Sequence, residues 1–179
     1  MDVTATEGLF EREERILPHR SDPIEEQLRA LLERYQGPIY RYLHVLAGDP
    51  ESALECAQET FVRAYDNLRA GKPVNGQWLY KVARNRAIDE LRRRGREDRD
   101  EGALESMTAP EQHISGRTAA VRQALDRLSP EEREVLYLFS VDKFKAAEIG
   151  AMLGISVDAV RMRVFRARQR FRLEYGDPR

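Results

Sequence analysis

Trp78, Lys81, Asn85, Asp89, Arg92, Arg93 and Arg96 recur between residues 78 and 96 at spacings that set most of them on one side of a helix. Cations there can hold phosphate, an amide and a carboxylate can meet base edges, and an indole can stack on a base that has left the duplex. The other side carries Leu79, Ala83, Ala87 and Leu91 at i, i+4, i+8 and i+12, a single apolar stripe. A core helix with a merely solvated basic face has the same pattern, and this helix alone does not choose between the two readings.

A second basic segment lies near the C-terminal end. Arg161, Arg163, Arg166, Arg168, Arg170 and Arg172 follow one another with no acid between them. The residues before them read as a short helix over Ala146 to Leu153, a turn at Gly154, a corner plugged by Ile155, and a second helix capped by Ser156. Val157, Val160, Val164, Ala167 and Phe171 form the apolar stripe of that second helix. Short helix, glycine turn and longer helix make a helix-turn-helix, with a plain helical hairpin as the alternative. Asp158, Ala159, Met162, Arg163 and Arg166 then face a major groove. Arg163 and Arg166 can read guanine bidentately or grip phosphate, while Arg161, Arg168 and Arg172 lie on a flank suited to the backbone.

The elements that must position these residues are helical throughout. Asp22-Pro23 reads as a helix start, with Leu28, Leu31, Leu32 and Tyr35 on its apolar side, and Gly37-Pro38 breaks or kinks it. Ile39, Tyr42, Leu43 and Leu46 resume it. Asp49-Pro50 starts a helix from Glu51 to Leu68, with Leu54, Ala57, Phe61, Ala64, Tyr65 and Leu68 inward and Gln58, Glu59 and Arg63 outward. A Gly- and Pro-broken loop follows, then the helix from Trp78, ending near Gly95. Val121, Leu125 and Leu128 mark a further helix, and Ser129-Pro130-Glu131-Glu132 starts another. The fold class is all-α. Residues 1–22 read as a flexible arm, 23–96 as a first helical domain, 97–117 as a flexible acidic linker, and 118–176 as a second domain containing the helix-turn-helix.

Composition excludes several classes. The chain has 179 residues, 41% of them hydrophobic and 34% charged, with a net charge of -1. That near-zero total hides two basic and two acidic segments, and a local basic patch is what a polyanion meets. Cys56 is the only cysteine, so no intramolecular disulfide or Cys-based zinc site can form. His19, His44 and His113 lack ligand spacing, and neither metal nor cofactor is expected. No apolar run reaches membrane-spanning length, which leads us to expect a cytoplasmic protein with no membrane insertion.

Taken together, the chain resembles the sigma-70 family, and within it the small extracytoplasmic-function (ECF) group that keeps sigma domains two and four. The resemblance rests on Gln58-Glu59-Thr60-Phe61 with Arg63-Ala64-Tyr65, the stretch from Trp78 to Arg93, Glu148-Ile149, Leu153 to Ser156, Val160-Arg161 and Arg163 to Arg168. It implies a transcription initiation factor that binds core RNA polymerase, directs it to promoters and promotes melting. Gln58, Glu59 and Arg63 would dock on the clamp helices of the largest polymerase subunit, and the second domain on the flap of the second-largest. The loop from about Leu68 to Gln77 would capture an unstacked base of the minus-ten element, and Trp78, Lys81, Asn85, Asp89, Arg92, Arg93 and Arg96 would hold that element. Ser156, Asp158, Ala159, Arg161, Met162, Arg163, Arg166 and Arg168 would read the minus-thirty-five element as duplex. An anti-sigma factor is a further partner the resemblance admits. Cys56, Leu54, Ala159 and Met162 depart from the family's usual residues.

Two other classes compete with this reading. A helix-turn-helix regulator acting without polymerase explains the second domain but leaves Gln58, Glu59 and the basic helix of the first unused. An enzyme lacks support, since no nucleophile-base pair, carboxylate cluster or phosphate-cradling loop is present.

Overall fold

The structure, a computed structural model, describes residues 22–100 and 116–176. The N-terminal arm expected from the sequence lies outside these residues except for Asp22, as does most of the expected linker. Among the described residues there are seven α-helices and no strand. The first three, α1 (Pro23–Ala47), α2 (Pro50–Arg69) and α3 (Gly76–Asp100), pack on one another. The other four are α4 (Gly116–Asp126), α5 (Pro130–Ser140), α6 (Ala146–Leu153) and α7 (Val157–Tyr175).

Helix starts follow local chemistry. The Asp22 carboxylate accepts from the Ile24 N–H at 3.0 Å, Asp49 from Ser52 at 2.8 Å, and Ser156 from Ala159 at 3.1 Å. Ser129 and Glu132 form a reciprocal capping box. The expectation that Gly37-Pro38 breaks or kinks the first helix needs revision, because α1 runs unbroken through both. Ile39, Tyr42 and Leu43 just beyond are wholly buried, and their packing outweighs one missing backbone N–H.

Two positions of the expected apolar stripes face water. Leu54 is 51% exposed, with Ala53 taking the buried place, and Leu91 is 44% exposed. A stripe stepped every four residues turns by about 40° per step, so three steps from Leu79 carry Leu91 well off the buried side. The core between α2 and α3 is built largely from Ala53, Ala57, Ala64, Ala83 and Ala87, small side chains that let the helices approach closely. In the second domain Val135, Leu138, Ile149, Met152, Val160 and Val164 fill the core. Both domains contribute to one continuous buried cluster, with α1 against α5 and α3 against α6.

Asp49 does more than cap α2. Arg94, near the far end of α3, donates to it at 3.0 Å and also reaches Ser52 and Glu90. The backbone N–H of Ser52 holds the Asp49 carboxyl below the usual carboxylate range, and the Arg93 guanidinium does the same for Glu90. For a depressed carboxylate the stabilisation is present above its ordinary pKa and is lost as pH falls through the lowered one. Asp49→Ala is expected to cost about 1 kcal/mol at neutral pH, the usual worth of an N-cap. In thermal melts that is a fall of roughly 3 °C, and the gap to the wild type should close in strong acid.

Candidate nucleic-acid and polymerase interfaces

Helix α3 has three sides with different surroundings. Leu79, Ala83 and Ala87 are wholly buried against the first domain. Gln77, Tyr80 and Arg84 turn toward the second domain, bonding to Glu148, Asp142 and Glu134. The third side is open: Lys81, Asn85, Asp89, Arg92, Arg93 and Arg96 are all exposed there. Among the described residues no carboxylate lies within ion-pair range of Lys81, and Asn85 is likewise uncommitted. Asp89 lies 4.0 Å from Arg92, and Arg93 pairs with Glu90 at 2.7 Å. The open side therefore carries net positive charge with one amide, suited to a polyanion with legible bases.

Trp78 sits at the start of this helix, half-buried. Its backbone N–H is capped by the Asn75 carboxamide oxygen at 2.9 Å. The preceding loop turns at Gly71, whose φ of 69° lies in the left-handed region. Asn75 thus fixes the start of α3 at Trp78, whose side chain packs partly against the buried core.

On α2, Gln58 and Arg63 are exposed, while Glu59 is partly covered and pairs with both Arg63 (3.2 Å) and Arg86 of α3. Glu59 thus braces α2 against α3 as well as facing outward. Leu54, Gln58 and Val62, at i, i+4 and i+8, share one exposed face, with Val62 58% exposed. Two aliphatic side chains flanking an amide make a better protein-docking surface than the polar residues alone. Sequence reading placed Leu54 inward and so missed this face, although the i, i+4, i+8 spacing was there to find.

On α7, Ser156 caps the helix, and Asp158 pairs locally with Arg161 at 3.1 Å. Met162 and Arg166 stand exposed on the face opposite Val160, Val164 and Ala167. Ala159 and Arg163 are half-buried, so Arg163 lies on the flank of the reading face, not at its centre. Arg168 lies over the Phe139 ring, 4.8 Å from its centroid. Phe165, 57% exposed on the same side as Met162, was not among the expected residues.

The helix-turn-helix corner is tight. Gly154 has a φ of 69°, and the Ile155 N–H bonds back to the Gly150 carbonyl at 3.1 Å. These surfaces on α2, α3 and α7 are separate and do not converge on one pocket. Among the described residues no group of three or more His, Cys, Asp or Glu could hold a metal ion, and no helix is long and apolar enough to cross a membrane. Burial pushes the Cys56 thiol up.

Comparison with known proteins agrees with this arrangement. The family described as Sigma-70 region 2 matches residues 31–97, and Sigma-70, region 4 matches residues 118–171. ECF RNA polymerase sigma factor SigE of Mycolicibacterium smegmatis is 34% identical over 79% of this chain, which spans 59% of that relative's length. SigL of Mycobacterium tuberculosis is 31% identical, with 82% of this chain and 87% of the relative covered. Among solved structures, the sigma factor RpoE of Bartonella quintana, in complex with the anti-sigma factor NepR, superposes with a TM-score of 0.72 at 25% identity, covering 86% of this chain and 99% of that one. With both sigma-70 regions present in order and SigL, at 31% identity, matched along 87% of its length, the chain belongs to the ECF RNA polymerase sigma factors, a family of transcription initiation.

Proposed function

We propose that this sigma factor divides its work among the three surfaces described above. The exposed face of α2, with Gln58 between Leu54 and Val62 and with Glu59 and Arg63 beside them, docks on the clamp helices of core polymerase, and the second domain docks on the flap. The open side of α3 holds the non-template strand of the minus-ten element, with Trp78 and the loop before it trapping an unstacked base and Lys81, Asn85, Asp89, Arg92, Arg93 and Arg96 gripping the strand. Helix α7 enters the major groove of the minus-thirty-five element. The division places the first domain at residues 23–96 and the second at 118–176. The protein works in the cytoplasm and does no chemistry of its own. The resemblance to a sigma factor solved with its anti-sigma factor supports a similar inhibitory partner here.

The observation that carries this reading is the pairing of an open cationic side on α3 with an exposed basic recognition face on α7, in the order of the two sigma-70 regions. Reconstitution with core polymerase tests it: promoter-specific run-off transcripts are expected where core alone gives none. Equal transcription with and without the protein would overturn it. Arg166→Ala should weaken binding to the minus-thirty-five duplex by about ten- to a hundredfold, the worth of one bidentate contact. Arg163→Ala, on the flank, should weaken all duplexes alike and reduce the salt slope by about one. Fluorescence anisotropy over a salt series on matched and mismatched duplexes separates the two.

A further inference from the structure

The exposed face of α7 carries two large apolar side chains at its centre. Met162 is 51% exposed and Phe165 57%. They stand at i and i+3, as neighbours on the helix surface. Both lie on the side away from the buried Val160, Val164 and Ala167. Both also fall in the first three turns of α7, the part of a recognition helix that meets base edges. With more than half of each side chain in water, folding gains little from either.

Cations border the pair on both sides. At about 100° per residue, Arg161, Arg168 and Arg172 fall along one edge of the apolar strip, and Arg163, Arg166 and Arg170 along the other. Asp158, one turn before Met162, pairs with Arg161 at 3.1 Å. A protein partner seated on this ridge would have to cover charge along both edges. A major groove instead brings a row of phosphates to each edge and base edges to the middle.

The chemistry of the pair limits what it can recognise there. A phenyl ring has no hydrogen-bonding group, and a thioether sulfur is only a weak acceptor. Of the groups displayed in the major groove, the C5-methyl of thymine is apolar and the rest are donors and acceptors. A guanine O6 or a cytosine amino group set against Met162 or Phe165 would lose its water and gain no partner. A thymine methyl in the same place buries apolar surface against a polarisable sulfur or a ring. Side chains three apart on a helix lie about 5–6 Å from each other, and base pairs rise by about 3.4 Å. The two side chains therefore meet methyls on adjacent or next-but-one base pairs.

We propose that Met162 and Phe165 select thymines in the minus-thirty-five element through their C5-methyl groups. The inference rests on the placement of α7 in the major groove given above, and adds the base that the apolar centre of this helix prefers.

The test removes the methyl and nothing else. Holoenzyme made from the full chain and core polymerase first selects duplexes from a pool randomised across the minus-thirty-five element. Thymine should be enriched at two positions within about three base pairs. Each thymine of the selected duplex is then replaced singly by deoxyuridine, which pairs identically but lacks the methyl. Binding should weaken about fourfold at each of those two positions, the worth of one buried methyl. Met162→Ala should abolish the effect at one position and Phe165→Ala at the other, whereas Met162→Leu, still apolar, should keep it. Both side chains are exposed, so these changes leave the fold intact. Equal binding of thymine and deoxyuridine duplexes by the wild type would overturn the inference and leave the groove reading standing. So would a deoxyuridine effect that survives in the double alanine variant. Wild-type affinity of that variant for every duplex would assign the pair to a protein partner and likewise overturn the inference. A pool that yields no preferred sequence would overturn the groove reading itself, and this inference with it.

Discussion

Replacing Lys81, Asn85 and Arg92 together by alanine is expected to reduce open-complex formation by roughly a hundredfold. All three are exposed on the open side of α3 and turn away from both the first-domain core and the second domain. Each contact to a strand phosphate or base edge is worth on the order of 1 kcal/mol, and three lost together reach about 3 kcal/mol. The buried residues Leu79, Ala83 and Ala87 are untouched, so the melting temperature should stay within a degree or two. Permanganate reactivity of bubble thymines measures the opening, and anisotropy on a minus-thirty-five duplex serves as the control. Opening at the wild-type level would remove α3 from strand capture.

The second large effect is expected at the helix-turn-helix corner. Gly150 is buried, and a Cβ built there would stand 2.8 Å from the Ile155 carbonyl oxygen. That oxygen is backbone, held in a turn whose next bond runs from the Ile155 N–H to the Gly150 carbonyl. A side chain can be accommodated only by opening the corner. Overpacking of a tight core costs about 1–3 kcal/mol, and Gly150→Val should lie at or beyond the upper end because valine adds two branched methyls. A fall in melting temperature of roughly 10 °C is expected, scaled from 2–4 °C per kcal/mol, together with loss of minus-thirty-five binding. Gly150→Ala should give a smaller fall in the same direction.

Much of this architecture is legible in the sequence. Asp22-Pro23, Asp49-Pro50, Ser129-Pro130 and Ser156 mark helix starts through local bonding, which needs nothing distant. Gly154 marks the turn through its own backbone. Local pattern fails where partners are remote. Glu134 stands two places after Glu131-Glu132 in a stretch that reads as solvated, yet it is buried and bonded to Tyr42 and Arg84 of the first domain. Tyr80 sits beside the expected stripe, and its burial depends on Asp142 and Phe144. Leu54 and Leu91 pass as core because periodicity gives a face, not how far a neighbour extends along it. Among the expected site residues, Arg92 and Met162 lie where the spacing puts them, whereas Arg163 is half-covered and Phe165 escaped notice because aromatics at helical spacing are usually core.

The Tyr42 and Glu134 pair also sets an order of events during synthesis. Its two members are separated by 92 positions. At 5–20 residues per second the ribosome needs roughly 5–18 s to travel that distance. Helices α1, α2 and α3 pack mainly on one another and can form while the second domain is still being made. For those seconds the Tyr42 hydroxyl and the Arg84 guanidinium face water, and the nascent first domain presents its α2 surface with α6 not yet packed against α3. The contact between the domains is therefore the part of the fold that each new molecule completes last.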